Sequence, residues 1–401
     1  MDGQTNAGIL VQLAGDTTLI RYLTAGESHG AMLTGIVDGI PANLKLSVTD
    51  IDTQLARRQR GYGRGERMAI ESDHIEITGG VRYGKTTGAP IGLLLRNRDW
   101  ENWRTKLSVE ASEEPTAPLT MPRPGHADYA GALKYAQHDI RNVIERASAR
   151  ETAMRVAVGA ICRTLLAEFG ITIYSHVVQI GTISHNNNPT LSDLETADNS
   201  PLRCIDPVAE EAMMQCIDEC KARGDTVGGV IEIIAFGVPV GIGSYGQGDS
   251  RIDGRIAGAL MSIPAVKTVA IGAIDATELI GSAFHDTFLP DRETTVQRPT
   301  NRAGGIEGGI TNGEPIVVRV TMKPLASLTQ PLASVDLKTG EAVEALRERS
   351  DVCAVPAAGV VAENLLAIVL ADAFLQKVGG DSIEEVTSHY NAWGDRWRTF
   401  S

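Results

Sequence analysis

The stretch from Val352 to Phe374 limits the fold more than any other part of this 401-residue chain. It is almost continuously apolar, but Pro356, Glu363, Asn364 and Asp372 interrupt it. Charged residues at those positions suit a membrane span poorly. A buried helix over about 357–378, closed by Gly379-Gly380, accounts for the pattern better. Around it lie β-like segments at Thr17–Leu23, Met68–Glu71, His74–Thr78, Pro90–Leu95, Val227–Val240 and Pro315–Met322. Helical segments are expected at about 47–59, 127–137, 142–169, 206–223 and 252–262, the first capped by Ser47 or Thr49. Strands and helices intermix without a βαβ rhythm, so the fold class is α+β, with antiparallel sheets packed on helices. Residues 1–18 read as an N-terminal extension and residues 19–401 as a single large domain.

Charge narrows the function. With 37 basic and 50 acidic residues the net charge is −13. Such a chain repels nucleic acid and anionic membranes on average, and 4% aromatic residues leave little for base stacking. Arginine clusters in such a background point to local anion sites. The cysteines Cys162, Cys204, Cys216, Cys220 and Cys353 include no CxxC pair. They read as reduced thiols of a cytoplasmic protein, with no metal site. The N-terminal MDGQTNAG lacks the basic and apolar regions of a signal peptide.

One cluster runs from Arg123 to Arg155 and holds Arg141, Arg146, Arg150, His126 and His138. Arg146 and Arg150 are four apart, so on a continuous helix they share a face. Ala147-Ser148-Ala149 between them is small enough for a ligand to approach the backbone. Arg123-Pro-Gly-His126 is a stiff turn that aims a histidine. A second cluster, Arg57, Arg58, Arg60, Arg64 and Arg67, ends a helix and enters a glycine-rich loop. It is either a mobile lid over an anion or a solvated basic helix end. His29, in Glu-Ser-His-Gly, either exchanges a proton with a ligand or bonds its own loop. Gly304-Gly-Ile-Glu-Gly-Gly-Ile-Thr-Asn-Gly313 offers backbone N–H groups to a phosphate or forms tight turns between strands. Asp351, beside Arg349, is an ion-pair partner or an active-site carboxylate. No GxSxG element supports nucleophilic hydrolysis.

Taken in order, TAGESHG (24–30), QLARRQRGYGRGERM (54–68), ITGGVRYGKTTGAPI (77–91), RPGHADYAGALKY (123–135), ERASARETAMRVA (145–157), SIPAVK (262–267), NRAGGIEGGITNGEP (301–315) and RSDVCAVPAAGVVAENLLA (349–367) resemble the chorismate synthase family closely. The resemblance spans about residues 19–380. It implies a β-α-β sandwich of antiparallel sheets flanked by helices, assembled as a homotetramer. It implies conversion of 5-enolpyruvylshikimate 3-phosphate to chorismate and phosphate, an anti-1,4-elimination without net redox change. This is the last common step of aromatic amino acid biosynthesis in the shikimate pathway, and it requires reduced FMN.

By motif, His29 corresponds to the group that protonates the departing phosphate and His126 to the one that serves the reduced flavin. Asp351, with Ser28 and Ser148, corresponds to a proton relay. Arg58, Arg64, Arg123, Arg150 and Arg349 match positions that hold the substrate's anionic groups, the first two also being assigned to NADPH. Arg146, Ala147, Ser148, Pro264, Ala265, Gly308, Lys323, Pro324, Leu325, Ala326, Ser327 and Arg349 match flavin contacts. The family usually reads Lys-Pro-x-Ser-Thr where this chain has Lys323-Pro-Leu-Ala-Ser327. The lost hydroxyl at Ala326 implies either FMN binding weaker by about 1 kcal/mol, roughly fivefold, or a compensating contact, and not loss of function. The segment after Lys267 also lacks the family's usual glutamate and Gly-Phe.

A flavin oxidoreductase acting on an anionic substrate, and a nucleic-acid binder using the arginine clusters, are the rival readings. NADPH consumed in step with substrate reduction marks the first, and steeply salt-dependent binding to DNA or RNA the second.

Overall fold

In the computed structural model, which describes residues 18–65, 72–111, 116–291, 295–348 and 350–397, the apolar stretch is a helix over Val355–Val378. Pro356 lies in its first turn, where a missing N–H costs no hydrogen bond. Gly379 closes it at φ 69°, a conformation that disfavours a Cβ. By length and composition this helix could cross a membrane, but its apolar window is wholly buried within the chain. Its polar residues find partners inside the core. Glu363 accepts hydrogen bonds from Arg57 (2.7 Å), Arg163 (3.1 Å), Arg203 (2.5 Å) and Ser175 (2.7 Å). Asp372 accepts the backbone N–H groups of Leu19 (2.7 Å) and Ile20 (2.8 Å) and pairs with Arg255. Asn364 donates to the carbonyl of Val360 one turn back, at 2.8 Å.

The first sheet contains β1 (Arg21–Ala25), β2 (Met32–Asp38), β3 (Ile75–Gly79) and β4 (Ile91–Arg96), in the order β1-β2-β4-β3. The second contains β5 (Thr172–Ile180), β6 (Ile183–Ser184), β7 (Gly229–Phe236), β8 (Val266–Ile271) and, after the short β9 (Ile306–Glu307) and β10 (Ile310–Thr311), β11 (Ile316–Met322). Its order is β8-β11-β7-β5-β6, and every pairing in both sheets is antiparallel. Alternation decides which face goes inward: Leu33, Val37, Leu93 and Leu95 in one sheet, Ile316, Val318 and Val320 in the other, are buried.

The helices of seven residues or more are α1 (Val48–Gln59), α2 (Asp128–Lys134), α3 (Arg141–Ala147), α4 (Thr152–Ala167), α5 (Pro207–Ala222), α6 (Ile252–Met261), α7 (Val355–Val378) and α8 (Ile383–Trp397). Helix α4 packs on the first sheet and on α7, and α7 packs on β5 and β7 of the second. The result is sheet, helix layer, sheet. The helices touch closely: a Cβ built on Gly159 of α4 would lie 2.5 Å from the backbone oxygen of Asn364 in α7. Ser47 caps α1 through a reciprocal bond with Asp50.

The α+β expectation holds. The expected strand at Met68–Glu71, Arg67, Arg349 and residues 1–17 of the expected extension lie outside the described residues. The helix expected over 142–169 is not continuous, and that break shapes the site.

Candidate active site

Helix α3 ends at Ala147, and Ser148 turns extended (φ −64°, ψ 143°). Its Oγ accepts the N–H of Arg150 at 3.3 Å and starts a short 3₁₀ turn over Ala149–Glu151 before α4 begins. Arg146 and Arg150 therefore do not share a face, contrary to their spacing. Arg146 lies at the surface, giving Nη1 to the carbonyl of Gly26 (3.0 Å) and Nη2 to that of Thr24 (3.0 Å). Arg150 turns inward and gives Nη1 to both Asp73 oxygens (2.7 and 2.9 Å) and Nε to Asn97 (3.0 Å). A serine hydroxyl captures the backbone here, because Ser competes for N–H groups that a helix would otherwise use.

The break also sets Ser148 against the loop after β1. Its hydroxyl donates to Ser28 Oγ at 3.1 Å. The Ser28 N–H donates to the carbonyl of Glu145 (3.0 Å), and the His29 N–H to Glu145 Oε2 (2.8 Å). The ring Nδ1 of His29 lies 3.0 and 3.1 Å from the two carboxylate oxygens. Trp103 stacks on that ring at 4.0 Å between centroids. Asn97 Nδ2 ties the loop down through the carbonyls of Glu27 (3.2 Å) and Gly30 (2.7 Å). His29 is thus held by a carboxylate and a ring.

Arg58 leaves the end of α1 and is buried beside this group. Nε donates to Thr152 Oγ1 (3.0 Å) and Nη2 to the carbonyl of Ala149 (2.9 Å). Nη1 is buried with no hydrogen-bond partner among the described residues, 3.9 Å from Asp73. Burial lowers its pKa to about 10, helped by repulsion from Arg150 and Arg64 and opposed by Asp73 and Asp351. A buried guanidinium with an uncommitted N–H suits an incoming anion. Arg64 pairs with Asp351 (2.8 Å), whose other oxygen accepts the N–H of Gly65 at 2.7 Å. The glycine-rich loop is stitched to the start of α7 by Val352 N–H on the Gly63 carbonyl (2.8 Å).

A second group forms around the turn before α2. Asp128 accepts the backbone N–H (3.0 Å) and Nε (2.9 Å) of Arg123, and its other oxygen lies 2.5 Å from His126 Nδ1. Burial pushes the Asp128 pKa up, but the hydrogen bonds from His126 and Arg123 outweigh it and hold the carboxylate well below its ordinary range. Arg123 Nη1 donates to Ser327 Oγ (2.7 Å). Lys323 gives its ammonium to the carbonyl of Gly125 and its N–H to that of Ala265 (2.9 Å). Thr226 holds the Leu325 carbonyl at 2.8 Å. Pro264-Ala265 and Lys323–Ser327 therefore meet the Arg123–His126 turn, with Ala265 at φ 68°. Gly308 sits in the β9–β10 turn, its carbonyl on Arg251 Nη1 at 3.2 Å. Among the described residues it is not bonded to any other candidate, and the glycine-rich run forms tight turns between strands.

Glu145, Asp128, Asp73, Asn97 and Trp103 were not singled out by sequence. Glu145 and Asp128 lie inside the Arg123–Arg155 stretch, so a search for the partners of His29 and His126 there has only a few carboxylates to weigh. Asp73, Asn97 and Trp103 carry no local signal. Arg155, unassigned by motif, bonds Glu151 (2.9 Å) and Ser262 (2.9 Å). Arg141 stands 5.3 Å from the Trp103 ring.

Buried arginines on shared carboxylates, two carboxylate-bound histidines and linked serine hydroxyls define an enzyme for a small, multiply anionic molecule. The chorismate synthase family profile matches residues 20–375, and the chain belongs to that family. It is 53% identical over 393 residues to the chorismate synthase of Aquifex aeolicus (strain VF5), covering 95% of this chain and 99% of that one. It is 51% identical over 380 residues to that of Chlorobaculum tepidum (strain ATCC 49652 / DSM 12025 / NBRC 103806 / TLS), covering 92% and 96%. A crystal structure of chorismate synthase superposes with a TM-score of 0.77 at 45% identity, covering 95% of this chain and 99% of that one. The family's reaction follows for this chain: 5-enolpyruvylshikimate 3-phosphate gives chorismate and phosphate, with carbon–oxygen lyase chemistry that depends on a reduced flavin.

Proposed function

We propose that His29 and His126 divide the acid–base work of this elimination. The substrate loses a proton from carbon six, and the carbon–oxygen bond to phosphate breaks with the electron pair leaving on phosphate. The double bonds shift and no net oxidation occurs. His29 Nε2 gives a proton to the departing phosphate, while His126, on Asp128, holds a proton beside the flavin. Ser28 and Ser148, hydroxyl to hydroxyl, relay the carbon-six proton with Asp351. Arg58, Arg64, Arg123, Arg150 and Arg349 hold the phosphate and the two carboxylates. The observation that carries this reading is that Glu145 fixes the loop after β1, taking the Ser28 N–H on its carbonyl and the His29 N–H on its carboxylate, while Ser148 bonds Ser28 hydroxyl to hydroxyl and Asn97 ties the same loop to buried Arg150.

The flavin is FMN in this reading, and bound reduced FMN supplies the electron density that makes phosphate a good leaving group. The donor chemistry fits a phosphorylated flavin: the Lys323 ammonium, the Ser327 hydroxyl and the left-handed Ala265 turn face one edge of the Arg123–His126 loop. Arg146, Ala147, Ser148, Pro264, Ala265, Gly308, Lys323–Ser327 and Arg349 would hold it. Arg58 and Arg64 would also take NADPH where that serves as reductant. The catalytic unit starts at residue 19, where the Leu19 and Ile20 N–H groups are fixed to Asp372, and residues 1–18 extend it. The reading further includes a cytoplasmic homotetramer without nucleic-acid or membrane partners. Anaerobic turnover of 5-enolpyruvylshikimate 3-phosphate, with chemically reduced FMN set against FMN plus NADPH, tests it. Phosphate release with a redox-neutral product is expected in the first arm, and none in either arm refutes it.

A further inference from the structure

His29 has a dedicated carboxylate. Glu145 is 2% exposed and sits on α3, immediately before Arg146. Its Oε2 accepts the His29 backbone N–H at 2.8 Å, and both oxygens face Nδ1 at 3.0 and 3.1 Å. A carboxylate only accepts, so Nδ1 must carry hydrogen in this geometry. The ring cannot swing away, because Trp103 lies on its face at 4.0 Å and 21°, and Trp103 is itself held by a bond from Nε1 to Asp99 at 3.0 Å.

The geometry points to Glu145 as the positioning residue of His29: it fixes the Nδ1–H tautomer and steadies the imidazolium, so that the proton handed over comes from Nε2. This deepens the role proposed above for His29 and rests on it. In the step, the Nε2–H bond breaks and an O–H bond forms on the departing phosphate. The neutral ring left behind keeps its Nδ1 proton on Glu145, and solvent returns the proton to Nε2. Asp128 stands in the same relation to His126, but it is shared with Arg123, whereas Glu145 serves the His29 backbone and ring together.

Glu145→Gln separates placement from charge. The His29 backbone N–H still claims the one amide oxygen, which turns the amide NH₂ toward Nδ1 and moves the neutral ring's proton to Nε2. Nitrogen-15 spectra of histidine-labelled protein, with the His29 signals assigned by loss in His29→Gln, read this directly. Wild type is expected to show Nδ1–H with a bare Nε2 at alkaline pH, and Glu145→Gln the reverse. Turnover with reduced FMN is expected to drop by roughly 10²-fold or more in kcat, the range of general acid catalysis, with KM within about threefold. Glu145→Asp is expected to keep the wild-type tautomer and recover part of kcat. A wild-type ring protonated on Nε2 in its neutral form overturns the proposal even if no variant folds, and so does a Glu145→Gln kcat within about twofold of wild type. If wild type shows no turnover at all, the catalytic reading of the site fails, while the tautomer spectra still decide the role of Glu145.

Discussion

Glu363 offers the sharpest quantitative test of how this core is held. It is fully buried in α7 and meets guanidiniums from three places: Arg57 at the end of α1, Arg163 in α4 and Arg203 before α5. Burial alone would raise its pKa, but Arg57, Arg203 and Arg163 together bring it from 4.5 down to about 2. A carboxyl with a depressed folded pKa binds fewer protons folded than unfolded. Its contribution is complete above the unfolded value and is lost as pH falls from about 4.5 to about 2. At about 1.4 kcal/mol per pH unit, that fall corresponds to about 3 kcal/mol. Glu363→Gln keeps the shape and removes the charge, leaving Asp198, about a third exposed, as the remaining carboxylate on Arg57 and Arg203. Uncompensated buried charge costs roughly 3–5 kcal/mol. Urea unfolding at fixed protein concentration should therefore place Glu363→Gln about 3–5 kcal/mol below wild type near neutral pH. The gap should close between about pH 4.5 and about pH 2. Equal midpoints at neutral pH, or parallel losses on acidification, would refute the reasoning.

Three further outcomes follow from the site and the helix layer. His126→Ala should lower kcat by roughly 10²–10⁴-fold with an unchanged circular dichroism spectrum, since Arg123 still satisfies Asp128. Wild-type turnover would sink the role given to His126. Ala326→Ser restores the hydroxyl usual in the family and should tighten FMN by about fivefold in a fluorescence-quenching titration, whereas an unchanged Kd means that position does not touch the flavin. Gly159→Ala forces a Cβ to 2.5 Å from Asn364 and should cost about 1–3 kcal/mol of stability by overpacking, read as a lower Tm, and a Tm at or above wild type would show that α4 and α7 can separate freely.

Much of the architecture was legible in sequence because burial leaves a periodic mark. The α7 helix, the Ser47 cap and strands β4 and β11 carry their signal locally. Ser148 did not, because one serine inside a helical pattern is read as helix unless its hydroxyl finds a better use, and that depends on Ser28, 120 residues away. The same limit hid the carboxylates. Histidines and arginines announce chemistry by type, while Asp73 and Glu145 look like any acid until the fold sets them against Arg150 and His29. The glycine-rich run after β8 was ambiguous for the opposite reason: the composition that suits a phosphate also suits the β9–β10 turn it forms.

Arg58 and Arg150 share Asp73, Arg123 holds Asp128 and Arg64 holds Asp351. With three resident carboxylates against four guanidiniums, the site keeps only a small part of its positive charge uncompensated. It casts little attractive field into solvent, in keeping with an acidic protein, and association should vary only shallowly with ionic strength. In the proposed reading, selection would happen at contact: the uncommitted N–H of Arg58 is offered directly, while Arg64, Arg123 and Arg150 would each exchange a resident acid for a better partner. In the proposed mechanism, taking Arg64 would free Asp351, so the event that seats the substrate would also release a base.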